Sequence, residues 1–218
     1  MAGYHPGAVQ ERATVPRGRH APPLEVRQDR QRARLFAAAA AVFARMGYAD
    51  ATAEAIAREA GMSKATFYEH FGNKEECLLA LFDAAIDVVV QGIAQAAQDH
   101  GAESPQGRVG ASVRAFLDVV DAFPDQAQTL LVEIIGAGPR AAERRDAILD
   151  LFAEGLMRDN ARMADHAGAP RFTSKDDAFA IIGAIVELVS RQLRTGVPAD
   201  VRALEPVIER LIFGLLRT

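Results

Sequence analysis

An all-α chain, built as a three-helix unit followed by a longer helical bundle, is predicted by three features of the sequence. Alanine is abundant while aromatics make up only 6% of the residues and tryptophan is absent, a mix that favours helix over strand. Apolar residues recur at i, i+3 and i+4 in segment after segment, each stretch making one buried stripe along a helix. Glycine and proline fall between these segments, and no stretch alternates apolar and polar residues as a strand would.

The elements follow in order. Residues 1–23 hold four prolines and few apolar side chains, so they read as a disordered arm. An arginine-rich entry from Leu24 leads into a first helix reaching Met46, with Leu35, Phe36, Ala39, Val42 and Phe43 on one face; Gly47 ends it. Thr52 is placed to cap a second helix, with Glu54 at its positive end, and Gly61 breaks that helix near Ala60. Ser63 caps a third helix running to His70, which Gly72 and Asn73 close. Residues 24–73 thus form the front unit and 74–218 the body. The body's helices run from Lys74 to Asp99, Arg108 to Phe123, Asp125 to Ile135, Arg140 to Ala167, Ser174 to Thr195 and Asp200 to Arg217. Pro124, the Gly136–Pro139 run, Gly168 with Pro170, and Gly196 with Pro198 punctuate them.

Composition narrows the function. A single cysteine, Cys77, forbids an intrachain disulfide and any cysteine metal cluster. No signal peptide and no run of ~18 uninterrupted apolar residues is present, so a cytoplasmic chain without membrane contact is expected. There is no glycine-rich phosphate loop, no Gly-x-Ser-x-Gly, no His-x-x-x-His, and the five histidines are scattered. No enzyme, no cofactor and no metal is therefore implied. Net charge is −4, but its distribution is uneven. Residues 1–74 carry eleven Lys/Arg against seven Asp/Glu, and the remainder fourteen against twenty-two. A basic front on an acidic body suits a head that meets a polyanion.

Chemistry concentrates in residues 52–74. Two short helices crossing steeply need small residues at the crossing and a turn residue tolerant of positive φ; Ala57, Ala60 and Gly61 supply these. Ile56, Met62, Phe67 and Phe71 then fall inward, leaving Lys64, Ala65, Thr66, Tyr68 and His70 outward on the third helix. A helix so presented fits the ~12 Å major groove of DNA. Thr52, Ser63, Thr66 and Tyr68 can hydrogen-bond phosphate oxygens or base edges, Lys64 adds charge, and Ala65 permits close approach. Lys74, in the first turn of the fourth helix, is expected to reach a flanking phosphate. Arg27, Arg30, Arg32 and Arg34 are expected on the DNA backbone or in the minor groove.

Residues 30–78 resemble the DNA-binding domain of the TetR family. The likeness rests on Ala39 through Tyr48, Ile-Ala-Arg-Glu-Ala-Gly61, Thr-Phe-Tyr-Glu-His-Phe71 and Asn-Lys-Glu75. Ala65, where glycine is commoner, and Ala51-Thr52 in place of Thr-Thr are small departures. The resemblance implies a homodimer in which the last two helices of each subunit form a four-helix interface. Phe179, Ile182, Val186, Val189, Leu204, Ile208, Leu211 and Leu215 are the expected contacts, with Gly183 and Ala184 allowing close approach. It also implies a small-molecule pocket among helices four to eight, where Phe116, Leu131, Phe152 and Leu156 are the candidates for its lining. Few clustered charges lie there, so an apolar or amphipathic ligand is expected. Helix four is the only rigid link between front and body visible in sequence. The functional expectation is a repressor of an operator, released by such a ligand; the alternatives are an adaptor or an activator of the same fold without inducer release.

Overall fold

The computed structural model describes residues 23–99, 105–167 and 171–214. The proposed arm (residues 1–22) and Leu215 lie outside them. Among the described residues there are helices and no strands: α1 (Leu24–Asp50), α2 (Ala53–Glu59), α3 (Lys64–His70), α4 (Lys74–Asp99), α5 (Pro105–Ala122), α6 (Pro124–Leu131), α7 (Pro139–Ala167), α8 (Lys175–Thr195) and α9 (Glu205–Gly214). Two 3₁₀ turns, Glu133–Gly136 and Val201–Leu204, precede α7 and α9.

The glycine at the end of α1 behaves as expected. Gly47 sits at φ +75°, so the regular helix stops at Met46 and only a loose turn continues to Asp50. Thr52 Oγ1 accepts the Ala55 N–H at 3.1 Å and Ser63 Oγ accepts that of Thr66 at 3.0 Å, so both predicted caps form. Two boundaries differ from expectation. The sixth helix ends at Leu131 instead of reaching Ile135, because the chain tightens into a 3₁₀ turn that carries Glu133 back to α1. The last α-helix begins at Glu205 instead of Asp200. Pro206 has no N–H for an interior helix bond, so it sits in the first turn, and Asp200 caps the preceding 3₁₀ turn through Arg202 N–H at 2.9 Å.

Apolar residues gather into two cores. The first joins Leu35, Phe36, Val42 and Phe43 of α1 to Ile56, Phe67, Phe71, Leu78 and Leu81; Met62 packs at its margin. Leu130, Ile134, Ala137 and Ala141, from α6 to the start of α7, complete the same cluster. The second core lies within the body, around Leu117, Ala153, Ile181, Val189 and Ile208. By length and composition α4 could cross a membrane. Here its Cys77, Leu78 and Leu81 are buried in the first core, and its later apolar residues face the interior cavity described below.

Helix α4 is therefore not the sole connection between front and body. Thr129 on α6, fully buried, donates through Oγ1 to the Ala40 carbonyl of α1 at 3.1 Å, and Tyr48 N–H donates to Glu133 Oε2 at 3.2 Å. Replacing Thr129 by valine keeps the shape and removes the hydroxyl. Chemical denaturation should then show a loss of about 1 kcal/mol with an unchanged m-value; an unaltered midpoint would show that this bond does not hold the two parts together.

Candidate nucleic-acid interface and interior cavity

Helix α3 is pinned from behind by Phe67, which is fully buried, and Phe71, whose rings lie 5.6 Å apart. Its other side is open. Lys64, Ala65, Tyr68 and Glu69 are exposed, with Tyr68 showing 49% of its surface and resting edge-on against Phe67 at 5.5 Å. Thr66 is half-buried, its hydroxyl sharing a 2.9 Å hydrogen bond with Ser63 Oγ. Glu54 lies 3.8 Å from the Lys64 ammonium, too far for a firm pair. The turn before α3 depends on Gly61, at φ +65°: a β-carbon there would also come within 3.2 Å of the Arg34 guanidinium, which donates to the Ala60 carbonyl at 2.6 Å.

Four side chains expected at DNA make contacts within the chain. His70 is half-buried against α1, sharing a 3.3 Å hydrogen bond with Gln31; burial, then the nearby Arg32 charge, hold its imidazole below the usual range. Arg32 lies over the rings of Phe36 and Phe71 at 5.1 and 5.0 Å, a cation–π seat. Arg34 caps α2, as above. Lys74 is the fourth. Its ammonium donates to the carbonyls of Tyr48, Ala49 and Ala51 at 2.7, 3.0 and 2.9 Å and lies 4.5 Å above the Tyr48 ring. An ammonium has three donors, and all three are directed at the chain's own backbone. In this structure the ammonium thus caps the α1 terminus. A clue was present in the sequence: a helix ended by Gly47 leaves carbonyls needing a cation. Cys77, one turn along, is buried among the first core's side chains, and burial pushes its thiol up to about 12.

A cavity of about 270 Å³ opens between α4 and α9, walled by every helix of the body. Phe116, Leu131, Phe152 and Leu156 all line it. So do Phe82, Ile86, Val89 and Ile93 of α4, which the sequence reading assigned only to packing. Polar groups on the wall are few: Ser112, Gln126, Arg145 and Asp159.

The expected dimer contacts separate into two groups. Val189, Leu204 and Ile208 are buried in the chain's own second core, while Ile182 and Val186, partly buried, line the cavity. Phe179 is exposed and Leu211 partly so. Leu211 lines a shallow outer groove with Ala184, Leu188 and Val207, and beside it a β-carbon on Gly183 would meet nothing within 4 Å.

Residues 35–81 match the sequence profile of bacterial regulatory proteins of the tetR family. Over those residues the chain is similar to that family's DNA-binding region. It is 33% identical over 147 residues (62% of this chain, 66% of the relative) to the HTH-type transcriptional activator FasR of Mycolicibacterium smegmatis. With the HTH-type transcriptional regulator HbdR of an Aromatoleum strain it shares 33% over 97 residues, covering 44% of this chain and 42% of that one. The aligned stretch thus spans less than two thirds of either relative. In three dimensions it resembles the fatty acid degradation regulator FadR of Bacillus halodurans (TM-score 0.70, 23% identity, 84% and 94% of the two chains). It is equally similar to FadR of Bacillus subtilis solved in complex with stearoyl-CoA (TM-score 0.70, 19% identity, 83% and 96%).

Because Lys74 holds three carbonyls, Lys74→Ala should cost about 1–2 kcal/mol of folding stability, given its partial exposure. Thermal melting checks this; a variant that melts like the parent would show that the three carbonyl bonds add nothing to stability.

Proposed function

We propose that this protein is a sequence-specific DNA-binding transcriptional regulator, a homodimeric repressor released from its operator by a small apolar or amphipathic ligand. The observation that carries the reading is the outward row of Lys64, Ala65 and Tyr68 on α3, presented by a unit whose opposite face is fully packed. Ala65 lets the backbone approach the groove, while Tyr68 and Lys64 reach base edges and phosphates. Thr52 and Ser63 support this row as caps, and the O–H of Thr52 and one O–H of the Ser63–Thr66 pair can donate to phosphate oxygens or bridging water. The relatives' names, a transcriptional activator and fatty acid degradation regulators, support the same class. The name of FasR also favours a second reading, an activator, which transcription in vitro from the bound promoter separates from a repressor. The site of action is the cytoplasm, where the DNA is.

Release needs a ligand that binds the DNA-competent and DNA-incompetent forms unequally. The route lies in α4 and α6. Leu130 and Leu131 of α6 line the cavity, while Thr129, immediately before them, is bonded to α1. Helix α4 lines the same cavity from Phe82 to Ile93 and grips the end of α1 through Lys74. A ligand that displaces either helix re-aims α3, and two half-sites at fixed spacing are lost together.

Tyr68→Ala should weaken binding to DNA flanking the protein's own gene by roughly 1–3 kcal/mol per half-site, without lowering the melting temperature. A gel shift identical to the parent's would sink the assignment of α3.

Val207, 37% exposed beside the outer groove, offers a clean test of the dimer. Val207→Asp should yield a folded monomer in sedimentation, whereas Val189→Asp, fully buried in its own chain, should unfold it. A Val207→Asp protein that remains dimeric would place the interface elsewhere.

A further inference from the structure

We infer, taking the cavity as the ligand site of the proposed regulator, that its ligand is a long unbranched fatty acid whose carboxylate sits on Arg145 and whose chain runs along α7 toward Asp159. The first support is length. Arg145 and Asp159 both line the cavity and stand fourteen residues apart on one helix, about 21 Å along its axis. On α5 the lining runs over the same span, from Val109 to Phe123. A volume of about 270 Å³ drawn out over that length is a narrow tube. At about 1.3 Å of advance per carbon of an extended chain, it accepts roughly sixteen carbons.

The second support is charge. Between its ends the wall is apolar; one end carries Arg145, and at the other Asp159 is paired with Arg162 at 3.2 Å. The Arg145 end is the one nearer DNA: on the same stretch of α7, Arg140 pairs with Glu75 at 3.1 Å and Arg144 with Asp83 at 2.6 Å, both on the first half of α4. Gln126 comes from α6, which packs on α1 at that same end. Arg145 is mostly buried, and its ionic neighbour among the described residues, Asp146, stands at 3.7 Å, beyond hydrogen-bond reach. A guanidinium with unspent donors at one end of an apolar cavity is suited to a carboxylate, which it can take two-pronged. At the far end Asp159 is half-exposed and held by Arg162, so the seat for the carboxylate is set by Arg145. Binding a carboxylate there would also draw on α6 and α7 where they meet the front unit.

The test uses the full chain without DNA, so that it is read separately from any effect on operator binding. Saturated fatty acids from eight to twenty carbons are titrated below their micellar concentrations by calorimetry. Affinity should rise about fourfold per added methylene and level off near sixteen carbons. Arg145→Gln should weaken palmitate at least tenfold while hexadecanol binds both proteins alike. No rise with chain length, or cholate binding more tightly than palmitate, would overturn the tube. Equal affinity of palmitate for the two proteins, or palmitoyl-CoA binding more tightly than palmitate, would overturn the seat at Arg145. Should palmitate bind as described yet leave operator affinity untouched, the ligand assignment stands and the release mechanism falls.

Discussion

At the end of α1 three backbone carbonyls converge on the ammonium of Lys74, while the neighbouring Tyr48 N–H is taken by the carboxylate of Glu133. This junction exists because Gly47 breaks the helix and leaves polar backbone groups that burial would otherwise strand. One partner is the first residue of α4 and the other belongs to the turn after α6. Everything in front of the junction, including α3 and its exposed row, takes its position relative to the body from these bonds and from the shared core of Phe43, Leu78 and Ile134. The front unit is small, and its core is completed by side chains from α6 and α7. Its order is borrowed from the body, and a change in the body therefore reaches it.

The body is built around an opening. Most helical bundles close their apolar stripes on one another; here α4, α5 and α7 hold theirs apart and leave a tube that α8 and α9 cover. Such a tube forfeits dispersion contacts along its whole length, so the surrounding helices must be tied by other means. Arg202 bonds Asp118 and Asp121 at 2.7 and 2.8 Å, Arg114 bonds Glu205 at 2.8 Å, and Lys175 reaches Asp150 and Glu154. These exposed pairs contribute little energy each, but they set register around the space rather than filling it.

Much of this was legible in the chain itself. Periodicity, glycine breaks and cap residues located the helices, since these are local effects that a few neighbouring residues decide. The buried rings of Phe67 and Phe71 and the open side of Tyr68 follow from helical spacing alone. What escaped was the choice between two uses of one side chain. Lys74 suits a phosphate or a carbonyl cluster, and only the path of α1 decides between them. Ile182, Val186 and Val189 suit a partner, a cavity or a core, and the stripe on α8 is wide enough that spacing cannot distinguish them. Arg145, one charge among the many on α7, carried no mark of its interior position.

Helix α6 has a consequence for anyone wishing to retune this protein. It is eight residues long, and its last three residues are all engaged: Leu131 faces the cavity, Leu130 touches both the cavity and the first core, and Thr129 holds α1. A substitution meant to reshape the binding space from this helix will also alter the resting geometry of the front unit. Sensor libraries built on this scaffold should therefore draw their diversity from the walls supplied by α5 and α7, such as Phe116 and Phe152, where ligand preference can drift while the unliganded setting of the switch stays put.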